Sequence, residues 1–185
     1  MGMIARALAA GALAFSGGAV AQEGPDAPPA PVAPGCAEIE GADAFDFFVG
    51  DWYVYNVDGQ YVGRNRIEKA YQDCFLFERW SGGRGGNDDG RSTSYLDART
   101  GEWHQLWVSP NTIIDWRGAP ERPGAMRLAG EIAFSAPERT SSHGFRGLIE
   151  TQDDGTLRQV LEWQPAADGE WQTWFDGTYR PVPKE

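Results

Sequence analysis

Trp52-Tyr53-Val54-Tyr55-Asn56-Val57-Asp58-Gly59-Gln60-Tyr61 sets a run of aromatic and branched residues before an Asp-Gly pair and opens a second such run after it. Aromatic and β-branched side chains fit a pleated surface, and Asp-Gly supplies the positive φ angles of a tight hairpin turn. The stretch predicts a hairpin joining residues 52–55 to 61–71. The same grammar recurs outward from it. Segments 74–80, 91–96, 102–108, 112–116, 125–129, 141–150, 157–163 and 171–179 read as strands. Turn signals such as Arg99-Thr100-Gly101, Asp153-Asp154-Gly155 and Ala167-Asp168-Gly169 separate them. Only residues 43–49, with Phe45, Phe48 and Val49 on one side and Gly50 as a stop, suggest one short helical turn. The expectation is an all-β fold: an up-and-down antiparallel barrel of about ten strands, closed because closure removes exposed sheet edges.

The strand faces bear on function. Residues 103–108 place Trp103, Gln105 and Trp107 on one face and His104, Leu106 and Val108 on the other. Residues 74–80 place Cys74, Leu76, Glu78 and Trp80 opposite Phe75, Phe77 and Arg79. Both faces are largely apolar, which is unusual for a sheet wetted on one side. Either the outer face is covered, or the interior mixes aromatic and polar groups as a ligand cavity does.

The chain begins as an exported protein does. Arg6 precedes an uncharged run from Ala7 to Phe15, and Ala19-Val20-Ala21 ends a small-residue stretch. That is the three-part order of a cleavable signal over residues 1–21. Its apolar run is far shorter than the roughly 20 residues of a membrane-spanning helix. Residues 22–35 are rich in Pro and Ala and read as a flexible spacer. Residues 36–185 then form a single domain of ordinary size, placed in the periplasm or outside the cell.

Charge narrows the partners. The chain has 16 Lys and Arg against 27 Asp and Glu, a formal net charge of −11, and cleavage after Ala21 would remove Arg6 and no acid. Such a surface repels phosphate backbones, so nucleic acid is excluded as a natural partner. A cationic ligand would be favoured, although charge of this size also serves solubility alone. In an oxidising compartment the two cysteines, Cys36 and Cys74, suggest a disulfide, the alternative being two unpaired thiols. No His or Cys lies near either at metal-ligand spacing.

Phe45-Asp46-Phe47-Phe48-Val49-Gly50-Asp51-Trp52, Asn65-Arg66-Ile67-Glu68, Glu78-Arg79-Trp80, Trp103-His104-Gln105-Leu106-Trp107-Val108 and Trp174-Phe175-Asp176-Gly177-Thr178-Tyr179 resemble the successive landmarks of a bacterial secreted family of uncharacterised domains. That family is itself similar to the calycins, the lipocalin and fatty-acid-binding type of barrel. The resemblance implies a barrel with a small-molecule cavity and no particular activity. The chain departs from the pattern at Ser109, where an Asp would follow Val108, and at Ser94, where an Asn is usual.

Within this frame the candidate ligand-binding residues are Glu78, Trp80, Gln105, Trp107, Glu162 and Trp163. Glu78 and Glu162 sit among aromatic and aliphatic neighbours, where a lone ionised carboxylate would cost several kcal/mol. Facing one cavity they would serve as acid and base; the blander alternative bonds each to an arginine such as Arg66 or Arg158. Gln105 would orient a ligand carbonyl or satisfy a backbone group. His104 and His143 lack a metal-binding pattern, and an axial haem role would require one of them to point inward. Ser81, Ser92 and Ser94 lack a nucleophile-elbow context, and the glycine-rich loop at 82–90 lacks the Lys-Ser or Lys-Thr ending of a phosphate cradle. The leading expectation is a cofactor-free barrel that binds a small apolar or aromatic ligand. An enzyme using Glu78 and Glu162 for proton transfer is the second reading, and a structural or protein-binding envelope protein the third.

Overall fold

The computed structural model describes residues 35–83, 89–136 and 139–184. The expected export signal, the spacer before Gly35 and residues 84–88 of the glycine-rich loop lie outside the described residues. Ten strands follow in order: β1 (Gly50–Asn56), β2 (Tyr61–Ala70), β3 (Phe75–Gly82), β4 (Gly90–Asp97), β5 (Glu102–Val108), β6 (Thr112–Arg122), β7 (Ala125–Ala136), β8 (Arg139–Thr151), β9 (Leu157–Gln164) and β10 (Gln172–Pro181). Each strand pairs antiparallel with its chain neighbours, and β1 pairs with β10 to close the barrel. The expected all-β up-and-down barrel is the observed fold. The expected helical turn is a 3-10 turn at Asp46–Phe48, preceded by another at Cys36–Glu38.

Strands β6 and β7 run well beyond the expected 112–116 and 125–129. Gly118, Pro120 and Gly130 lie in the added stretches, and the ladder accommodates them. A register shift falls between Pro120 and Arg122, the kind of irregularity at which a strand tolerates proline. Gly130 lies against Trp116, where a Cβ would collide with its backbone and Cβ.

Side chains alternate across the wall as the pleat requires. Trp52 and Val54 of β1, Leu76 and Glu78 of β3, Trp103 and Gln105 of β5, and Leu157 and Gln159 of β9 are all buried. The apolar outer face of β3 is partly sheltered by Tyr71, whose ring centroid lies 5.9 Å from those of both Phe75 and Phe77. Farther along the outer wall Leu106, Val108 and Ile113 stay exposed. The apolar character of both faces therefore has two sources, an outer aromatic patch and a mixed interior.

The up-and-down order sorts the barrel into two ends. β1, β3, β5, β7 and β9 begin at one end, and there residues 36–49 fold across as a cap. Phe45 and Phe48 are fully buried, each worth about 2–3 kcal/mol of apolar burial. Phe45 meets the edge of Trp103 at 5.6 Å, and Phe48 meets Tyr179 at 5.9 Å. Trp103 Nε1 donates to the Gly41 carbonyl at 3.2 Å and Trp52 Nε1 to that of Phe48 at 3.1 Å. Cys36 and Cys74 form a disulfide, and Lys69 holds Asp46 at 2.6 Å. The β2–β3 turn carries three consecutive left-handed residues, Tyr71, Gln72 and Asp73, at about 1–2 kcal/mol each for non-glycine residues. The disulfide at Cys74 and the capping segment hold that turn in place.

Candidate functional site

Capping and a solid layer of Met126, Leu128, Phe145, Ile149 and Leu157 fill one half of the barrel. The other half holds a cavity of about 510 Å³, within the range of sites that enclose a small molecule. The β5–β6 hairpin contributes Ser109, Asn111 and Thr112 to its lining, and β10 contributes Trp174. Asn111 and Trp174 are exposed, so the cavity reaches solvent at this rim. Aromatic size is matched to glycine in the wall. Trp80 lies over Gly63, where a Cβ would come within 2.6 Å of the indole, and Trp107 lies still closer over Gly90. Those glycines let two indoles lie against the wall instead of filling the bore.

Cross-strand register assembles the polar groups. Glu78 pairs with Ser92, Ser92 with Trp107 and Trp107 with Ile114 around the wall. The next row runs Leu76, Ser94, Gln105, Trp116. Asn65 of β2, paired with Trp80, donates from Nδ2 to Glu78 Oε1 at 2.6 Å, and Ser92 Oγ donates to Oε2 at 2.6 Å. Gln105 Nε2 donates to Ser94 Oγ at 3.0 Å, and Gln105 Oε1 accepts from Trp116 Nε1 at 2.7 Å. Tyr179 Oη donates to Gln159 Oε1 at 2.6 Å. Asn65 Oδ1 is buried without a partner among the described residues.

Burial pushes the Glu78 carboxyl above the ordinary carboxylate range, against the two hydrogen bonds that favour its charge. Burial first, and then the nearby Glu78 carboxylate, push the Tyr179 phenol upward as well. No Lys, Arg or His among the described residues lines the cavity, so Glu78 has no counter-ion there.

Of the candidate residues, Glu78, Trp80, Gln105 and Trp107 line this cavity. Glu162 does not. It pairs across the ladder with Arg146, between the inward-facing Phe145 and Gly147, and binds its guanidinium at 2.7 Å on the outer face. The two carboxylates thus stand on opposite sides of the wall and cannot act as an acid–base pair. The suggested arginine partners are also otherwise engaged: Arg66 binds Glu68 at 2.9 Å and Arg158 binds Asp176 at 2.7 Å. Trp163 turns inward but is not a lining residue; it belongs to a rim cluster, 5.7 Å from Phe134 and 5.5 Å from Trp174. Gln105 spends its carbonyl on Trp116, not on a backbone group.

His104 lies on the outer face, stacked on Tyr95 at 5.2 Å, which removes it as an interior ligand. His143 sits in the rim cluster, 5.2 Å from Trp163, with Nδ1 donating to the Pro165 carbonyl at 3.0 Å. Among the described residues no group of three or more His, Cys, Asp or Glu is placed to hold a metal ion, and no helix is long and apolar enough to cross a membrane.

Sequence reasoning missed Trp116, Phe134, Gln159, Trp174 and Tyr179 as lining residues. A signal existed for Gln159, which shares the phase of Leu157 and Leu161 along its strand and so must face inward with them. Phase also separates the two glutamates: Glu78 is in step with Leu76 and Trp80, whereas Glu162 is out of step with Leu161 and Trp163. No protein-family model matches the chain, and no curated protein matches it.

Proposed function

We propose that the barrel binds one small apolar or aromatic molecule in its open half. The observation that carries this reading is a cavity of about 510 Å³ that reaches the rim and is walled by Trp80, Trp107, Trp116 and Phe134 with a few polar side chains. A barrel whose residues served only its own stability would fill that space, because an unfilled apolar void costs packing contacts. The resemblance to secreted calycin-like domains agrees with this use. The three-part N-terminus, the Pro-rich spacer and the disulfide support action in the periplasm or outside the cell, with residues 1–21 cleaved.

The test is a titration with N-phenyl-1-naphthylamine, a neutral dye that brightens in apolar surroundings, read together with quenching of tryptophan emission. Saturable binding at one site is expected, and Ile114→Trp, which grows a lining side chain into the space, should weaken it at least tenfold. Absence of saturable binding by the folded parent, or equal binding by the folded Ile114→Trp variant, would overturn the reading.

A further inference from the structure

We infer that the cavity selects an organic ammonium ion carried on an apolar or aromatic body, with Glu78 receiving the ammonium and Trp80 and Trp107 presenting indole faces beside it. This deepens the cavity-binding reading and rests on it. Among the described residues Glu78 is the one acidic side chain lining the cavity, and no Lys, Arg or His lines it. An ionised carboxylate offers about four acceptor positions. Asn65 and Ser92 each occupy one, at 2.6 Å, and both point donors at the oxygens. That is an environment arranged around a carboxylate, yet one that leaves the charge without a partner cation among the described residues.

Trp80 stands two residues along the same strand and so on the same face as Glu78. Trp107 lies in the same cross-strand row through Ser92. Indole is the best of the aromatic faces for a cation, and the attraction grows when the pair is desolvated. Gln105 and Gln159 already use their carbonyl oxygens on Trp116 and Tyr179, which leaves Glu78 as the strongest remaining acceptor. The chain's net charge of −11 also raises the local concentration of cations. Without a bound cation, burial disfavours the ionised form of Glu78; a bound ammonium supplies the missing counter-charge.

The experiment is isothermal titration calorimetry near neutral pH with two ligands of equal length, 4-phenylbutylammonium and 4-phenylbutan-1-ol, on the parent protein and on Glu78→Gln. Near-ultraviolet circular dichroism confirms that the variant is folded. The parent should bind the ammonium at least tenfold more tightly than the alcohol, and this ratio should fall to about one in the variant. The parent comparison stands even if the variant fails to fold. An alcohol that binds as tightly as the ammonium, or a folded variant that keeps the preference, overturns the inference while the cavity reading survives. Failure of both ligands and of the neutral dye overturns the two together.

Discussion

Replacing Glu78 by Gln should stabilise the unliganded barrel at neutral pH, by an amount that depends on pH in a defined way. The isosteric amide keeps both contacts, accepting from Asn65 Nδ2 and donating to Ser92 Oγ, the partners Glu78 has at 2.6 Å. What it removes is a titration. Burial raises the Glu78 pKa in the folded state, so between the unfolded and folded values the native protein holds a proton that the unfolded chain has released. Stability from this group is fully present below the unfolded value, near 4.5, and is lost as pH rises through the folded value. The limiting slope is about 1.4 kcal/mol per pH unit for one proton. Carboxylates held low by partners, such as Asp51 beside Arg64 and Glu121 beside Arg127, lose stability in the opposite direction as pH falls, but they do so equally in both proteins. Urea denaturation of parent and variant at several values from about pH 4 to about pH 8 therefore isolates Glu78 in the difference. The difference should grow in favour of Glu78→Gln as pH rises and then level off at the folded pKa. A flat difference, or a parent that gains on the variant with rising pH, would refute the reasoning.

Removing the disulfide with Cys36→Ser and Cys74→Ser, which lie 38 residues apart, should cost about 3–4 kcal/mol by chain entropy, read as a lower urea midpoint that reductant no longer shifts. Gln105→Leu strands the Trp116 indole N–H and the Ser94 hydroxyl, and should cost about 1–3 kcal/mol in the same assay; a neutral result would mean that the network bears no energy. Glu162→Gln breaks only the half-exposed pair with Arg146, so it should change stability by under about 1 kcal/mol and leave dye binding intact, whereas lost binding would place Glu162 in the site after all. Gln72→Asn, at the centre of the left-handed turn, should raise stability by about 0.5 kcal/mol because Asn tolerates that backbone region; thermal denaturation reads the change.

Much of the fold was legible because its determinants are local. The Asp58-Gly59 turn and the alternation on either side of it specify a hairpin without reference to the rest of the chain, and the hairpin is present as β1 and β2. Where local grammar misled, tertiary context outweighed it. The expected strand stops at residue 129, yet β7 continues through Gly130, where the neighbouring Trp116 leaves no room for a Cβ. The candidate site was legible as far as strand phase was followed. Glu78, Trp80, Gln105 and Trp107 share the phase of buried neighbours and do line the cavity. Glu162 drew notice through its apolar neighbours alone, and its phase against Leu161 and Trp163 places it outside.

Alternation and turn chemistry, read along the chain, were enough for an antiparallel all-β domain, for sorting two strands into their two faces and for two cysteines suited to a bridge. Those properties depend on residues within a few positions of one another, or on composition. Which inward residues meet depended on the closed barrel. Tyr179 reaches Gln159 and Glu78 reaches Ser92 because of register carried strand by strand around the wall, and a one-residue slip in any pairing would turn a whole strand inside out. The same is true of the space itself. One half of the bore is filled and capped while the other is left open, a balance of side-chain volumes summed over ten strands that no single segment expresses.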